Sequence, residues 1–170
     1  MTGSLEIFIA DGVLTGGAAD LFDLRERLES SEQFTLSDAR WSAFAGAPAP
    51  DARALLVDEI VVAMGALDPN RVVHANWHDV ILEAGPYRIE GLLPVLPGFD
   101  PGRALTRPGG TFIQLRQVRL GIVGRMDAGE LERDAALVNR YAVDRVTSDL
   151  ELTFFFPAAE FVTLQGAPLG

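Results

Sequence analysis

The chain has 170 residues, a net charge of −10 and 48% apolar side chains, enough for one ordinary domain or two small ones. It has no cysteine, which excludes disulfides, thiolate metal sites and cysteine nucleophiles, and no apolar run reaches the roughly 18 residues that a membrane helix needs. The acid excess opposes binding to phosphate backbones, which takes a basic patch, so nucleic acid is disfavoured as a partner.

Taken in chain order, the first element is a strand over Leu5 to Ala10, rich in Ile and Phe. Asp11-Gly12 follows as a tight hairpin turn, and Val13 to Thr15 starts a return strand that Gly16-Gly17 ends. Leu21, Leu24 and Leu28 at helical spacing predict a helix over Asp20 to Glu29, with Asp20 as N-cap. Gln33 to Phe44 reads as a strand with Phe34 and Leu36 inward and Ala39 as a third inward candidate. The Gly46 to Pro50 link cannot join a ladder because proline lacks the donor. Ala54 to Ala66 is a long β-branched run, one bent strand or two, and Leu67-Asp68-Pro69-Asn70 is a turn.

Arg71 to Leu93 is strand-like and broken at Gly85-Pro86, with a Pro-Gly loop from Pro94 to Gly102 behind it. Arg103 to Thr106 is a candidate helical turn, Thr111 to Val123 a strand and Asp134 to Thr147 another. Leu150 to Phe156 reads as a strand stopped by Pro157, with one more over Glu160 to Leu164.

Three of these blocks recur in the same order. Ile7 to Gly16 answers to Leu82 to Gly91, Phe34 to Arg40 to Ile113 to Arg119, and Ala54 to Val62 to Ala135 to Val143. The offsets grow from 75 (Gly16 to Gly91) through 79 (Leu36 to Leu115) to 81 (Val57 to Val138). Added loop residues in the second half account for the growth, since insertions belong in surface loops. The pattern predicts a mainly β protein with minor α. It has two tandem copies of a small curled sheet or barrel, each of about five strands with one short helical element, related by a pseudo-two-fold. The expected units are residues 1–70, residues 71–149 and a C-terminal aromatic strand and tail over residues 150–170. The arrangement resembles small Sm-like or SH3-like barrels. It is also similar to uncharacterised bacterial proteins with a short hairpin, a Gly-x-Leu return and a late Leu-Val-Asn-Arg strand, here Gly91-Leu92-Leu93 and Leu137-Val138-Asn139-Arg140. These motifs are structural, so the resemblance implies a fold and no activity.

The 14 basic residues are all arginine, a usage that fits a high-GC bacterial genome. The first residues lack a basic stretch followed by an apolar one, so the expected location is the cytoplasm. Charge is uneven: residues 1–70 hold 12 acidic and 4 basic side chains, the remainder 12 and 10.

Candidate chemistry is sparse. His74 and His78, four apart on one strand, would sit about 13 Å from each other, too far to share a metal. No Gly-x-Ser-x-Gly is present, Gly85-Pro86 and Pro108-Gly109-Gly110 match no nucleotide-binding loop, and a P-loop lysine cannot exist here. Asp58 and Glu59, adjacent on a strand, would point to opposite faces. The expectation is therefore a non-enzymatic protein with no catalytic residues, cofactor or metal, working as a protein-interaction or assembly module.

Phe154, Phe155, Phe156 and Phe161 put aromatics on both faces of a terminal strand. One face can meet the protein's own sheet, and the other is the candidate surface for a protein partner or homo-oligomer. The alternative is an Sm-like protein that binds nucleic acid or a small ligand on a face formed by Trp77, Tyr87, Arg88, Arg116 and Arg119.

Overall fold

The computed structural model describes residues 2–19, 24–65, 76–95, 110–123, 130–150, 152 and 155–162. The first half contains β1 (Thr2–Ile9), β2 (Gly12–Ala19), α1 (Leu24–Ser30), β3 (Gln33–Phe34), β4 (Ser37–Ala43), β5 (Leu55–Leu56) and β6 (Val62–Gly65). The second contains β7 (Asn76–Ala84), β8 (Tyr87–Val95), β9 (Phe112–Ile122), β10 (Leu131–Asn139), β11 (Arg145–Thr147) and β12 (Glu160–Val162). The protein is mainly β, as the alternating apolar pattern predicts.

Ten strands form one mixed sheet in the order β12-β11-β7-β8-β9-β10-β6-β1-β2-β4, and β3 pairs with β5 apart from it. The sheet is open, with β12 and β4 at its ends. Two separately closed barrels are not seen among the described residues. The expected boundary at residues 67–70 lies outside the described residues, as does the helical turn at Arg103 to Thr106. Strands from either side of that boundary are nevertheless neighbours, because β6 pairs with β10 through Val62↔Val138 and Met64↔Ala136.

That central junction is buried on both faces. From β1, Phe8 points into one hydrophobic cluster while Leu5, Ile7 and Ile9 point into the other. From β6, Val62 and Met64 join the first and Ala63 the second; from β10, Ala136 and Val138 join the first and Leu137 the second. One cluster is built mainly on β7 to β10, the other on β1, β2, α1 and the 33–60 region. A strand with cores on both sides has no polar face, which is why Val61 to Met64 and Ala135 to Val138 are continuous apolar runs. Buried Asn139 ties the junction: its Nδ2 donates to Ile60 O at 3.0 Å, and its Oδ1 accepts the Tyr141 N–H at 3.0 Å. Glu29 on α1 accepts the N–H groups of Thr111 and Phe112, each at 2.7 Å, and so clips the helix onto β9.

Several predicted elements change in detail. The first turn is Ala10-Asp11, with Ile9 facing Gly12, and β2 runs through Gly16-Gly17 to Ala19. Gly16 survives in a strand because a β-carbon there would come within 2.8 Å of Ser37 O. The predicted strand over Gln33 to Phe44 is two, with Leu36 buried between them and Ala39 exposed. Asp58 and Glu59 lie in a 3-10 turn (Val57–Glu59) that separates β5 from β6, rather than on a strand. Asp134 to Thr147 also divides, into β10 and β11. The helix begins its described part at Leu24, and its expected N-cap, Asp20, lies outside the described residues.

The tail departs most. Phe155 and Phe156 sit in turns, where both N–H groups donate to Leu152 O (2.9 and 3.2 Å). Leu152, Phe155 and Phe156 are all buried in the cluster built on β7 to β10. Compact turns let consecutive aromatics point the same way, which a strand forbids.

Candidate functional site

The expected ligand face is only partly assembled. Tyr87 is absent from it: the ring is fully buried, edge-on to Phe8 and Phe44 with centroids 5.5 and 5.7 Å away. Its hydroxyl donates to Ile9 O at 2.5 Å and Gly12 O at 3.1 Å, on the first hairpin. Burial, with the Asp11 carboxylate adding to it, holds this phenol well above its ordinary range. Trp77 and Arg116 are brought together, the guanidinium lying 4.7 Å over the indole ring. A ring covered by its own arginine is no stacking platform for a base.

Arg88 and Arg119 share the outer face of the sheet but are already engaged. Arg88 reaches Glu90 at 2.7 Å. Arg119 faces Glu90 across one ladder and Glu132 across the next. Its guanidinium lies 3.9 Å from Glu90, 3.4 Å from Glu130 and 3.4 Å from Glu132. Each such pair is weak where solvent reaches it, but three carboxylates around one cation leave no positive field for phosphate. Two shallow depressions flank Arg119. One of about 520 Å3 is lined by Gln117, Arg119, Glu132, Arg133 and Asp134, and one of about 330 Å3 by Asp79, Glu90, Gly91, Leu92, Gln117 and Arg119. Beside the first, Arg133 makes a two-pronged contact with Glu6 of β1, at 2.8 and 3.0 Å. That hydrogen bonding raises the pKa of the Arg133 guanidinium, in spite of partial desolvation.

A third depression, of about 380 Å3, lies in the first half, lined by Gly3, Ser4, Thr15, Gly16, Gly17, Asp38 and Arg40. Sequence reasoning passed over these residues. The signal was in the second recurring block, both versions of which end in arginine, Arg40 and Arg119.

Of the candidate interaction residues, Phe155 and Phe156 are interior, and their burial removes them from any surface. Phe154 lies outside the described residues. Phe161 is exposed on β12 and has exposed Val162 as its neighbour. His78 lies on β7 opposite Leu93, and His74 is outside the described residues. Among the described residues no group of three or more His, Asp or Glu side chains could hold a metal, and no helix is long and apolar enough to cross a membrane. Comparison with family models, curated proteins and solved structures finds no match for this chain.

Proposed function

We propose that the chain is a duplicated β-unit serving as a non-catalytic protein-interaction module, with the open edge at β12 as its assembly surface. Duplication is supported by register. The hairpin pairs Ile9↔Gly12 and Ala84↔Tyr87 correspond at the offset of 75, as do the ladder irregularities at Thr15/Gly17 and Glu90/Leu92. Asp38 and Gln117, 79 apart, are the only non-glycine residues with positive φ among the described ones (50° and 51°). Gly16 and Gly91 face Leu36 Cβ and Leu115 Cβ respectively. The last strand within residues 1–70 also pairs antiparallel with the first, β6 with β1, as β11, the last within residues 71–149, does with β7.

The interaction reading is carried by one observation: terminal strand β12 exposes adjacent Phe161 and Val162, at 39% and 41%. A strand end with unsatisfied backbone groups and exposed apolar side chains is a template for another chain. The favoured occupant is a second copy. Light scattering on a size-exclusion column tests this. The wild-type chain is expected to dimerise with rising concentration, and Phe161→Asp to give a folded monomer. Substitution is preferable to deleting residues 150–170, because Phe155 and Phe156 belong to the core. A wild type that stays monomeric at several hundred micromolar would refute the assembly surface.

A further inference from the structure

Resting on that duplication, we infer that Arg40, on the edge strand β4, takes a carboxylate from an extended segment of another polypeptide laid along that edge, the place that β10 fills beside β9 at Arg119. The surroundings of the two arginines correspond at six positions. Offsets of 75 and 79 carry Ser4, Thr15, Gly16, Gly17, Asp38 and Arg40 onto Asp79, Glu90, Gly91, Leu92, Gln117 and Arg119, six of the eight residues that line the 330 Å3 depression. Thr15 faces Arg40 across its ladder as Glu90 faces Arg119, and Ser4 faces Gly17 as Asp79 faces Leu92.

The second copy is internally satisfied. Glu90 and Glu132 flank Arg119 from both neighbouring strands, Glu130 adds a third carboxylate, and Leu92 fills space. In the first copy the corresponding carboxylate and leucine are Thr15 and Gly17, so the cradle is widened and the arginine kept. β4 ends the sheet, so among the described residues no strand stands beside it as β10 stands beside β9. No described residue forms an ion pair with Arg40, which is exposed. A guanidinium presents paired donors to a carboxylate. The chain holds its own example of the guest, Glu130-Leu131-Glu132, antiparallel to β9. Asp38 also lines the depression and opposes a carboxylate guest. Gln117 at the matching position shows that glutamine is tolerated there.

The test is fluorescence anisotropy with a dye-labelled peptide of residues 129–136, titrated with the full chain. Saturable binding is expected, weakened about tenfold by Arg40→Ala, as for loss of a charge-assisted hydrogen bond. Thr15→Glu, which restores the internal carboxylate, should weaken it as well, and Asp38→Gln should strengthen it. Arg119→Ala should leave it unchanged. Circular dichroism confirms that each variant is folded, and Thr15→Glu, at a half-buried position of β2, covers the case in which Arg40→Ala fails to fold. Absence of binding at millimolar chain overturns the inference, as does binding indifferent to Arg40 and Thr15. So does competition by inorganic phosphate at millimolar concentration, which would mark a general anion seat. Any of these with dimerisation through Phe161 intact removes the Arg40 site and leaves the assembly surface standing.

Discussion

Replacing Tyr87 by phenylalanine isolates a single hydroxyl that joins the two halves. The ring and its edge-to-face contacts with Phe8 and Phe44 remain, while the donor to Ile9 O and Gly12 O is lost. Both acceptors are main-chain carbonyls at the first hairpin turn, and the phenol that serves them is fully buried. Losing a buried donor and leaving its acceptors short of a partner costs about 1–3 kcal/mol. With a urea m-value of about 2 kcal/mol/M, a loss of about 2 kcal/mol lowers the midpoint by about 1 M at unchanged m. Tyr87→Ala removes the ring too and should cost about 3–5 kcal/mol.

The same hydroxyl sets a pH dependence. Unfolded tyrosine titrates near pH 10, whereas burial keeps Tyr87 protonated above that pH in the folded chain. Its contribution is therefore fully present below about pH 10. Above that pH the unfolded chain releases a proton that the native chain retains, and stability falls by about 1.4 kcal/mol per pH unit. Tyr87→Phe should remove this slope, and Tyr141, present in both proteins, cancels in the comparison. Urea melts between pH 8 and 11 measure both effects. A Tyr87→Phe protein within 0.5 kcal/mol of wild type (on the order of the noise in such measurements) with the alkaline slope intact would show that the hydroxyl bonds carry no stability.

Glu29→Ala should destabilise the fold by about 1–3 kcal/mol, because the Thr111 and Phe112 N–H groups lose a charged acceptor; thermal unfolding measures it, and an unchanged melting temperature contradicts the clip between α1 and β9. Asp38→Gly and Gln117→Gly should each be neutral or stabilising by up to about 1 kcal/mol, since glycine relieves positive φ, whereas valine at either site should destabilise; opposite responses at the two sites in urea melts would argue against equivalent bulges. A double-mutant cycle on Glu6 and Arg133 should give a coupling of about 0.5–1 kcal/mol that shrinks with added salt, and a coupling indifferent to salt would mean that packing, not charge, joins β1 to β10.

The candidate site was half legible. Arg119, Arg116 and Trp77 were identifiable as polar or aromatic residues on strands, and the structure does place them on the outer face of the second half. Their partners were not readable, because Glu90, Glu130 and Glu132 reach Arg119 from neighbouring strands and a loop. Arg40 drew no attention in an acidic half of the chain. Its distinction is the lack of those carboxylates, which becomes visible only when the two ladders are set in register. Tyr87 misled for a related reason. A tyrosine after a Gly-Pro turn looks like a surface residue, but the first hairpin folds over it and takes its hydroxyl.

Local patterning alone determined that the chain is mainly β and where several of its strands lie. Alternation marks β7 and β8, and Gly85-Pro86 marks the turn between them. These are properties of a few consecutive residues, so no partner is needed to read them. The tertiary structure decided which strands meet, which face is interior and where the sheet stops. Alternation names two faces without saying which is buried, and it disappears in Val61 to Met64 and Ala135 to Val138, where cores lie on both sides. The tail shows the same limit: whether Phe155, Phe156 and Phe161 are core or surface depends on the strands they reach, and those lie far away in the chain.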